Sequence, residues 1–554
     1  MTKKELVFVP LGGAGEIGMN LNLYGYGKPE EEEWIIVDFG ITFADDTAPG
    51  VDVILPDPTF IEQRRDKLKG MVITHAHEDH VGALAYIWDR VQCPVYCTPF
   101  TATLARGKLK EAGFGHLKDI VHEIPQGGRF DLGPFDIEFI TFTHSILEPN
   151  ALAIRTPEGT IVHTGDWKLD PGPVVGQTTD IDALDRLGKE GVLAMVCDST
   201  NVFTPGTTGS EEELEASLKD LISQYDGKVC VTCFASNLAR LHTIAVAAKE
   251  NGRQIVVSGR SFAKMMDAAH ANGYMLDTPD FLDEDQAHHI PDNELLIICT
   301  GSQGEPRAAL ARISSGNHKN ISLGDGDVVI FSSRTIPGNE RSIYRLQNEL
   351  ARKGVEIVTS HDHFVHVSGH PAQDELRELF RRVRPRFAIP VHGEFRHLQA
   401  HAALAEECGV EKAFVIENGY VVKIDKDMPC IIDEIQTGRL AWEGRRAVPL
   451  KSEIVQSRKR ALFNGSAVAS VVVDKEGAIL AEPIITTEGL LDPDGDDDLW
   501  DLLFDIIYNT VESLPKRDRK DDDVLEENLR INVRRWFRNQ FGKRAMTHIH
   551  LIRV

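Results

Sequence analysis

The sequence lacks any apolar run approaching 18 residues, and Met1-Thr2-Lys3-Lys4-Glu5 leads into only a short run to Leu11. It offers neither a membrane-spanning helix nor a secretory leader, so the expected location is the cytoplasm, with no membrane partner. Cysteine is sparse, eight in 554 residues. The one CxxC, Cys230-Val231-Thr232-Cys233, lies in a strand-like run where positions i and i+3 face opposite ways, which argues against a redox pair or a zinc clamp. Basic charge is in deficit: 60 Lys and Arg against 85 Asp and Glu give a formal net charge of -25. Bulk attraction for nucleic acid is thereby excluded, and any polyanion must be held in a locally basic channel. The length suffices for about two to four domains with real cores.

What the chain does have is a concentration of imidazole. Thr74-His75-Ala76-His77-Glu78-Asp79-His80 follows the strand-like run Gly70-Met71-Val72-Ile73 and precedes an apolar helix pattern over 81–88. Alternate residues of an extended turn face the same way, so His75 and His77 share one cation while Asp79 and His80 reach a second. Neutral imidazole and carboxylate suit zinc or a neighbouring first-row metal, and a pair of such ions suits hydrolysis. Two further candidates fall where strands stop: His144, after Phe142-Thr143, and Asp166, after Ile161-Val162-His163-Thr164-Gly165. They supply a third imidazole and a carboxylate able to bridge both ions.

Gly13-Ala14-Gly15-Glu16-Ile17-Gly18 reads as a dinucleotide-binding GxGxxG, with Asp38 following Gly18 by 20 residues. That motif needs a helix after its glycines to hold pyrophosphate. Here the glycines run into an alternating strand pattern over 20–27, so a β-hairpin turn is expected, with Trp34-Ile35-Ile36-Val37 delivering Asp38. Four continuous apolar runs, at 228–232, 254–257, 295–298 and 328–331, read as strands of a parallel sheet buried on both faces. Each ends in a small polar loop, among them Ala235-Ser236-Asn237 and Ser332-Ser333-Arg334, and such loops suit phosphates. His366, Ser368 and His370, with the Gly369 amide, read as an anion-gripping turn, and His361 and His363 as structural.

The order Asp38, HxHxDH, His144, Asp166 and a later His392, 226 residues beyond Asp166, resembles the motifs of the metallo-β-lactamase fold carrying a large insertion. Together with Gly12–Gly18, Asp198-Ser199-Thr200-Asn201, Phe234-Ala235-Ser236-Asn237, Cys299–Pro306, His366-Val367-Ser368-Gly369-His370 and Pro390–Glu394, it is similar to the bacterial ribonuclease J family over about residues 6–440. That family lies in the β-CASP branch of metallo-β-lactamase-fold nucleases. The resemblance implies an α/β fold: a metallo-β-lactamase αββα sandwich (1–208 and 367–440), an inserted β-CASP parallel-sheet domain (209–366), a linker (441–460) and a small α+β C-terminal domain (461–554). It implies a zinc-dependent exo- and endoribonuclease, running 5′ to 3′ from 5′-monophosphate ends of single-stranded RNA, in RNA maturation and decay. His75, His77, His144 and Asp166 would hold one Zn2+, and Asp79, His80, Asp166 and His392 the other, with Mn2+ or Mg2+ also supporting activity. Asp198 and His370 would move protons; Phe234, Ala235, Ser236 and His366, Val367, Ser368, Gly369 and His370 would bind substrate; Asp38 would orient ligands. Gly50 and Asp52 match a Ca2+ loop of some relatives, without an evident later acid. A homodimer or homotetramer and an RNA-decay complex are implied as partners.

Strand patterns at 466–474, 478–485 and 546–554 and helix patterns at 499–514 and 524–541 make the C-terminal region α+β, with Arg530, Arg534 and Arg538 read as a solvated basic stripe. The rival functions are a small-ester hydrolase of the same fold, a DNA-processing β-CASP nuclease and a non-catalytic RNA-binding scaffold. The first needs no insertion rich in phosphate-type loops, and the last has no need of every ligand.

Overall fold

Alternation and continuous apolar runs become two face-to-face sheets in the computed structural model, which describes residues 3–45, 47–117, 119–492 and 494–554. The described residues fall into two compact units, 1–42 with 54–440 and 43–53 with 441–554. In the first unit an eight-stranded sheet carries Glu5–Gly12, Leu21–Gly27, Glu33–Val37 and Leu68–Val72 as successive neighbours. A seven-stranded sheet carries Gly159–His163, Ala194–Asp198 and Phe387–Val391 side by side and parallel. Phe8, Tyr24 and Val37 of the first sheet share one core with Phe139, Leu152, Val196 and Ile389 of the second. On the outer side of the seven-stranded sheet, Leu184, Leu187, Leu376, Phe380 and Ala405 from three helices form another core. The result is an αββα sandwich.

This arrangement gathers the chemistry at strand ends. Asp38 follows Glu33–Val37, and the histidine-rich turn follows its parallel neighbour Leu68–Val72. Asp166, Asp198 and His392 lie at the carboxyl ends of the three adjacent parallel strands of the other sheet. The 226-residue interval closes because Phe387–Val391 inserts beside Ala194–Asp198, with Asp198 opposite Val391.

Within the interval stands a five-stranded all-parallel sheet, in the order 254–258, 295–299, 229–232, 328–331 and 356–358. Its continuous apolar runs have a simple cause: Val229, Val231, Leu296 and Ile298 face one core, and Cys230, Ile297, Val329 and Phe331 face another. The strand Glu356–Val358 had no apolar run to announce it. Cys230 and Cys233 do not pair; Cys230 Sγ lies 3.5 Å from Cys299 Sγ across the sheet, and all eight cysteines are free thiols.

The glycine run continues as the strand Leu21–Gly27 rather than a helix, and Gly13, Gly15 and Gly18 have φ of 89°, 84° and 84°. The helix read at 81–88 is interrupted: Glu78–Val81 and Leu84–Val91 are separate.

In the second unit, the stretch 441–460, expected as a linker, contains Arg446–Pro449 as a strand and the start of the helix Glu453–Asn464. Residues 43–53, expected with the first domain, also belong here. Ser466–Val473 pairs antiparallel with Ile484–Glu488, later than the strand expected at 478–485, and parallel with Met546–Arg553. Helices Asp497–Ser513 and Asp522–Phe541 cover one sheet face through Leu503, Ile507, Leu529, Val533 and Phe537. Arg530 pairs with Glu527 at the surface, in keeping with a solvated stripe. No helix among the described residues is long and apolar enough to cross a membrane.

Candidate metal centre

Three imidazoles converge first. His75 Nε2 and His144 Nε2 each lie 3.1 Å from His77 Nδ1. Hydrogen bonds fix the tautomers of His75 and His144. Thr74 Oγ1 donates to Asp38, so it accepts from His75 Nδ1 at 3.0 Å; His144 Nδ1 donates to the Gly369 carbonyl at 2.5 Å. Both Nε2 atoms therefore present lone pairs. Burial pushes all three rings toward the neutral, ligating form, His75 and His144 well down and His77 to about 4. Ring nitrogens 3.1 Å apart, near the edge of about 3.3 Å that a tetrahedral zinc site gives its nitrogens, fit a cation.

The second group is more acidic. His80 Nε2 lies 3.2 Å from Asp166 Oδ2 and 3.7 Å from Asp79 Oδ2, and His392 Nε2 lies 3.2 Å from Asp79 Oδ2. Burial opposes charge on His80 and His392, yet Asp166 and its neighbouring acids raise both pKa values well above the usual range. Burial likewise opposes charge on Asp166 and Asp79, but the surrounding histidines hold both carboxyls below the usual range. Asp166 Oδ2 reaches both groups, at 4.0 Å from His75 Nε2 and 3.9 Å from His144 Nε2. Asp166 Oδ1 is buried with no hydrogen-bond partner, an orphaned charge-bearing atom that a metal ion would satisfy.

An outer layer of hydrogen bonds aims these candidate ligands. Asp38, fully buried, accepts from His80 Nδ1 at 2.7 Å, Thr74 N at 2.7 Å and Thr74 Oγ1 at 2.9 Å. Thr200 Oγ1 lies 2.8 Å from His392 Nδ1. Asp38 and His392 both hold left-handed backbone, at φ 65° and 53°, conformations that non-glycine residues keep where tertiary structure enforces them.

The stretch 366–370 closes over the centre. His370 Nδ1 lies 2.8 Å from Asp198 Oδ2, and Asp198 Oδ1 lies 3.4 Å from His392 Nδ1. Burial disfavours the charged His370 ring, but Asp198 outweighs it and raises the pKa. Asn201 Nδ2 donates to Ser368 Oγ at 2.8 Å and to the His370 carbonyl at 3.0 Å. A Cβ on Gly369 would stand 2.6 Å from Ser145 Oγ and 2.8 Å from the His144 ring, so only glycine fits. Below, fully buried Arg240 donates to Glu211, Ser332 and the Val367 carbonyl, and its Nη1 is 3.3 Å from His366 Nδ1. Phe234, Ala235 and Ser236 are half-buried in the loop between the strand Val229–Thr232 and the helix that bears Arg240.

Sequence reasoning had no hold on the hydrogen-bonding roles of Thr74 and Arg240: Asp38 and Glu211 lie far from them in the chain, and hydrogen bonding has no local period. His361 and His363 are exposed rather than built into the structure. In the second unit, the Gly50 loop carries an ion-pair network of its own. Arg458 Nη1 bonds the Pro49 and Gly50 carbonyls at 3.4 and 3.2 Å, and its guanidinium pairs bidentately with Glu443 at 2.8 and 2.7 Å. A side-chain cation thus lies between the Gly50 carbonyl and the Glu443 carboxylate, beside the loop that the resemblance matched to calcium.

Comparison with known proteins agrees with this geometry. Family models match for the metallo-beta-lactamase superfamily at residues 26–224, the ribonuclease J beta-CASP domain at 226–350, the Zn-dependent metallo-hydrolase RNA specificity domain at 354–415 and the ribonuclease J C-terminal domain at 453–554. The fold and the centre thus define a metallo-β-lactamase-fold hydrolase of the β-CASP type, built to bind divalent metal. Ribonuclease J of Sinorhizobium meliloti is 42% identical over 559 residues, covering 100% of this chain and 98% of that protein. Ribonuclease J of Mycolicibacterium smegmatis is 41% identical, covering 78% and 77%, and that of Helicobacter pylori strain 26695 is 36% identical, covering 87% and 70%. The chain belongs to the ribonuclease J family, and is an RNA nuclease. A crystallised protein of unknown function from Enterococcus faecalis V583, 16% identical with a TM-score of 0.52 over 76% of this chain and 100% of that one, shares the fold.

Proposed function

We propose that the chain is a zinc-dependent ribonuclease that trims single-stranded RNA from 5′-monophosphate ends toward the 3′ end and also cleaves internally. The observation that carries this reading is the coupling of one loop to both functions: Gly369 orients the ligand His144, while His370 of the same loop pairs with Asp198. His75, His77, His144 and Asp166 would hold one Zn2+, and Asp79, His80, Asp166 and His392 the other. When bound, such ions lower the pKa of water and stabilise charge developing on phosphate.

The residues do the rest. Asp38 and Thr200 hold His80 and His392 in the ligating orientation. His366, Ser368 and the Gly369 amide cradle a terminal phosphate, with Phe234 to Ser236 beside the RNA, so that one nucleotide lies between the cradle and the cleavable bond. His370, kept protonated by Asp198 more readily than a free imidazole, gives its proton to the departing 3′ oxygen. A homodimer or homotetramer is its expected assembly, and RNA maturation and decay its setting.

The test is degradation of one 3′-end-labelled RNA bearing a 5′-monophosphate, 5′-triphosphate or 5′-hydroxyl, with His77→Ala as control and zinc or manganese supplied. Stepwise release of 5′ mononucleotides, fastest from the monophosphate and abolished by His77→Ala, is expected. Triphosphorylated RNA degraded as fast as monophosphorylated RNA would sink the end preference, and RNA bound but left intact under either metal would sink catalysis.

A further inference from the structure

A chain of net charge -25 must concentrate positive potential where it receives RNA, and three cations bear on His366: Arg240, Arg334 and Lys168. Two of them are spent. Arg240 is fully buried and commits its guanidinium to Glu211, Ser332 and Val367. Lys168 is 2% exposed and pairs with buried Asp170 at 2.6 Å.

Arg334 differs. It is exposed, and its one side-chain hydrogen bond among those described runs from Nη1 to Asn201 Oδ1 at 2.9 Å. Asn201 is the residue that grips Ser368 Oγ and the His370 carbonyl, so the guanidinium is anchored to the loop of the proposed phosphate cradle with its other donors free. The backbone beneath it is also fixed: Gln303, 5% exposed, donates to the Arg334 carbonyl at 2.9 Å and accepts from Ile336 N at 2.9 Å and Asn339 Nδ2 at 3.3 Å. Both its base and its head are therefore placed before any ligand arrives, so little ordering entropy remains to be lost on binding. A guanidinium offers paired donors in a fork that matches two phosphate oxygens, and a terminal phosphate monoester presents more charge and more free oxygens than an internal diester.

We infer that Arg334 is a substrate-binding residue that recognises the terminal 5′-phosphate monoester of RNA, completing the cradle of His366, Ser368 and Gly369. The inference rests on the end-recognition reading above and deepens it by naming the cation that reads the end.

The experiment uses the full chain with Arg334→Gln and Arg334→Lys, both checked for unchanged melting temperature. Initial rates are measured on 5′-monophosphate and 5′-hydroxyl forms of one RNA, and binding of uridine 5′-monophosphate and of uridine is measured by calorimetry. The expected result is a rise in KM for the monophosphate RNA alone, by roughly ten- to hundredfold for Arg334→Gln and less for Arg334→Lys, with a matching loss of nucleotide over nucleoside binding. If the wild type discriminates between the two ends and Arg334→Gln discriminates equally well, the assignment of Arg334 is overturned while the end preference stands. An equal rise in KM for both RNAs would make Arg334 a contact to internal phosphates, and an equal fall in kcat with KM unchanged would make it only a prop for Asn201; either overturns the inference. A wild type blind to the 5′ end overturns the end-recognition reading itself.

Discussion

Asp38→Asn isolates one proton in the metal centre. Asparagine is nearly isosteric with aspartate and tolerates the left-handed φ of 65° at this position, whereas alanine would add backbone strain. Its carbonyl oxygen can still accept from Thr74 N, now 2.7 Å from Asp38 Oδ1. The atom now 2.7 Å from His80 Nδ1 becomes an NH2 donor, so Nδ1 must accept and the ring proton moves to Nε2. That nitrogen is the one facing Asp166 at 3.2 Å and needed as a ligand. The loss falls first on the group Asp79, His80, Asp166 and His392; His144 keeps its bond to the Gly369 carbonyl, and His75 feels the change indirectly, through Thr74 Oγ1, which loses Oδ2 as its acceptor. Loss of such an orienting partner typically weakens metal binding about 10- to 100-fold, or roughly 1.4 to 2.7 kcal/mol. Zinc titration by calorimetry, with metal content after gel filtration, should show the site of Asp79, His80, Asp166 and His392 weakened by that factor and the other weakened less. Two sites of wild-type affinity would refute the tautomer argument.

Arg240→Met leaves Glu211 buried without its cation and should cost about 3–5 kcal/mol in urea unfolding, while adding Glu211→Leu should recover most of it; a single variant as stable as the wild type would contradict the network. His401 is fully buried, and burial lowers its pKa to about 4, so its proton is taken up only on unfolding. Its contribution is intact above pH about 6.5 and is lost as pH falls toward 4, amounting to about 1.4 kcal/mol at pH 5.5. His401→Gln should flatten the fall in stability between pH 7 and 5.5 by that amount, and an unchanged slope would rule this out. Because Arg458 occupies the Gly50 and Glu443 oxygens, millimolar calcium should leave the melting temperature of the second unit unshifted, and Arg458→Ala, at a half-exposed pair, should cost less than about 1 kcal/mol. A calcium-dependent rise in the wild type would show that the guanidinium does not own those oxygens.

By itself the sequence determined which side chains the candidate centre draws on and the elements that present them. HxHxDH after an apolar strand, and His144, Asp166 and His392 just past other strand ends, are local patterns, and strand periodicity places such residues at an edge before any contact is known. The continuous apolar runs likewise announced the parallel sheet, because a strand covered on both faces has no polar alternation. Only the tertiary structure decided that Asp166 reaches both imidazole groups, that Asp38 sets the His80 tautomer, and that Gly369 aims His144 from 225 residues away. It alone set an exposed Arg334 against Asn201 and a spent Arg240 against His366, gave the 441–460 stretch its strand and the start of a helix, and put Arg458 against the Gly50 carbonyl. The division has one physical cause. Apolar burial acts through element faces and leaves a period of 2 or 3.6 in the chain, whereas hydrogen bonds and ion pairs are made between single atoms that the fold brings together, and they leave no period at all.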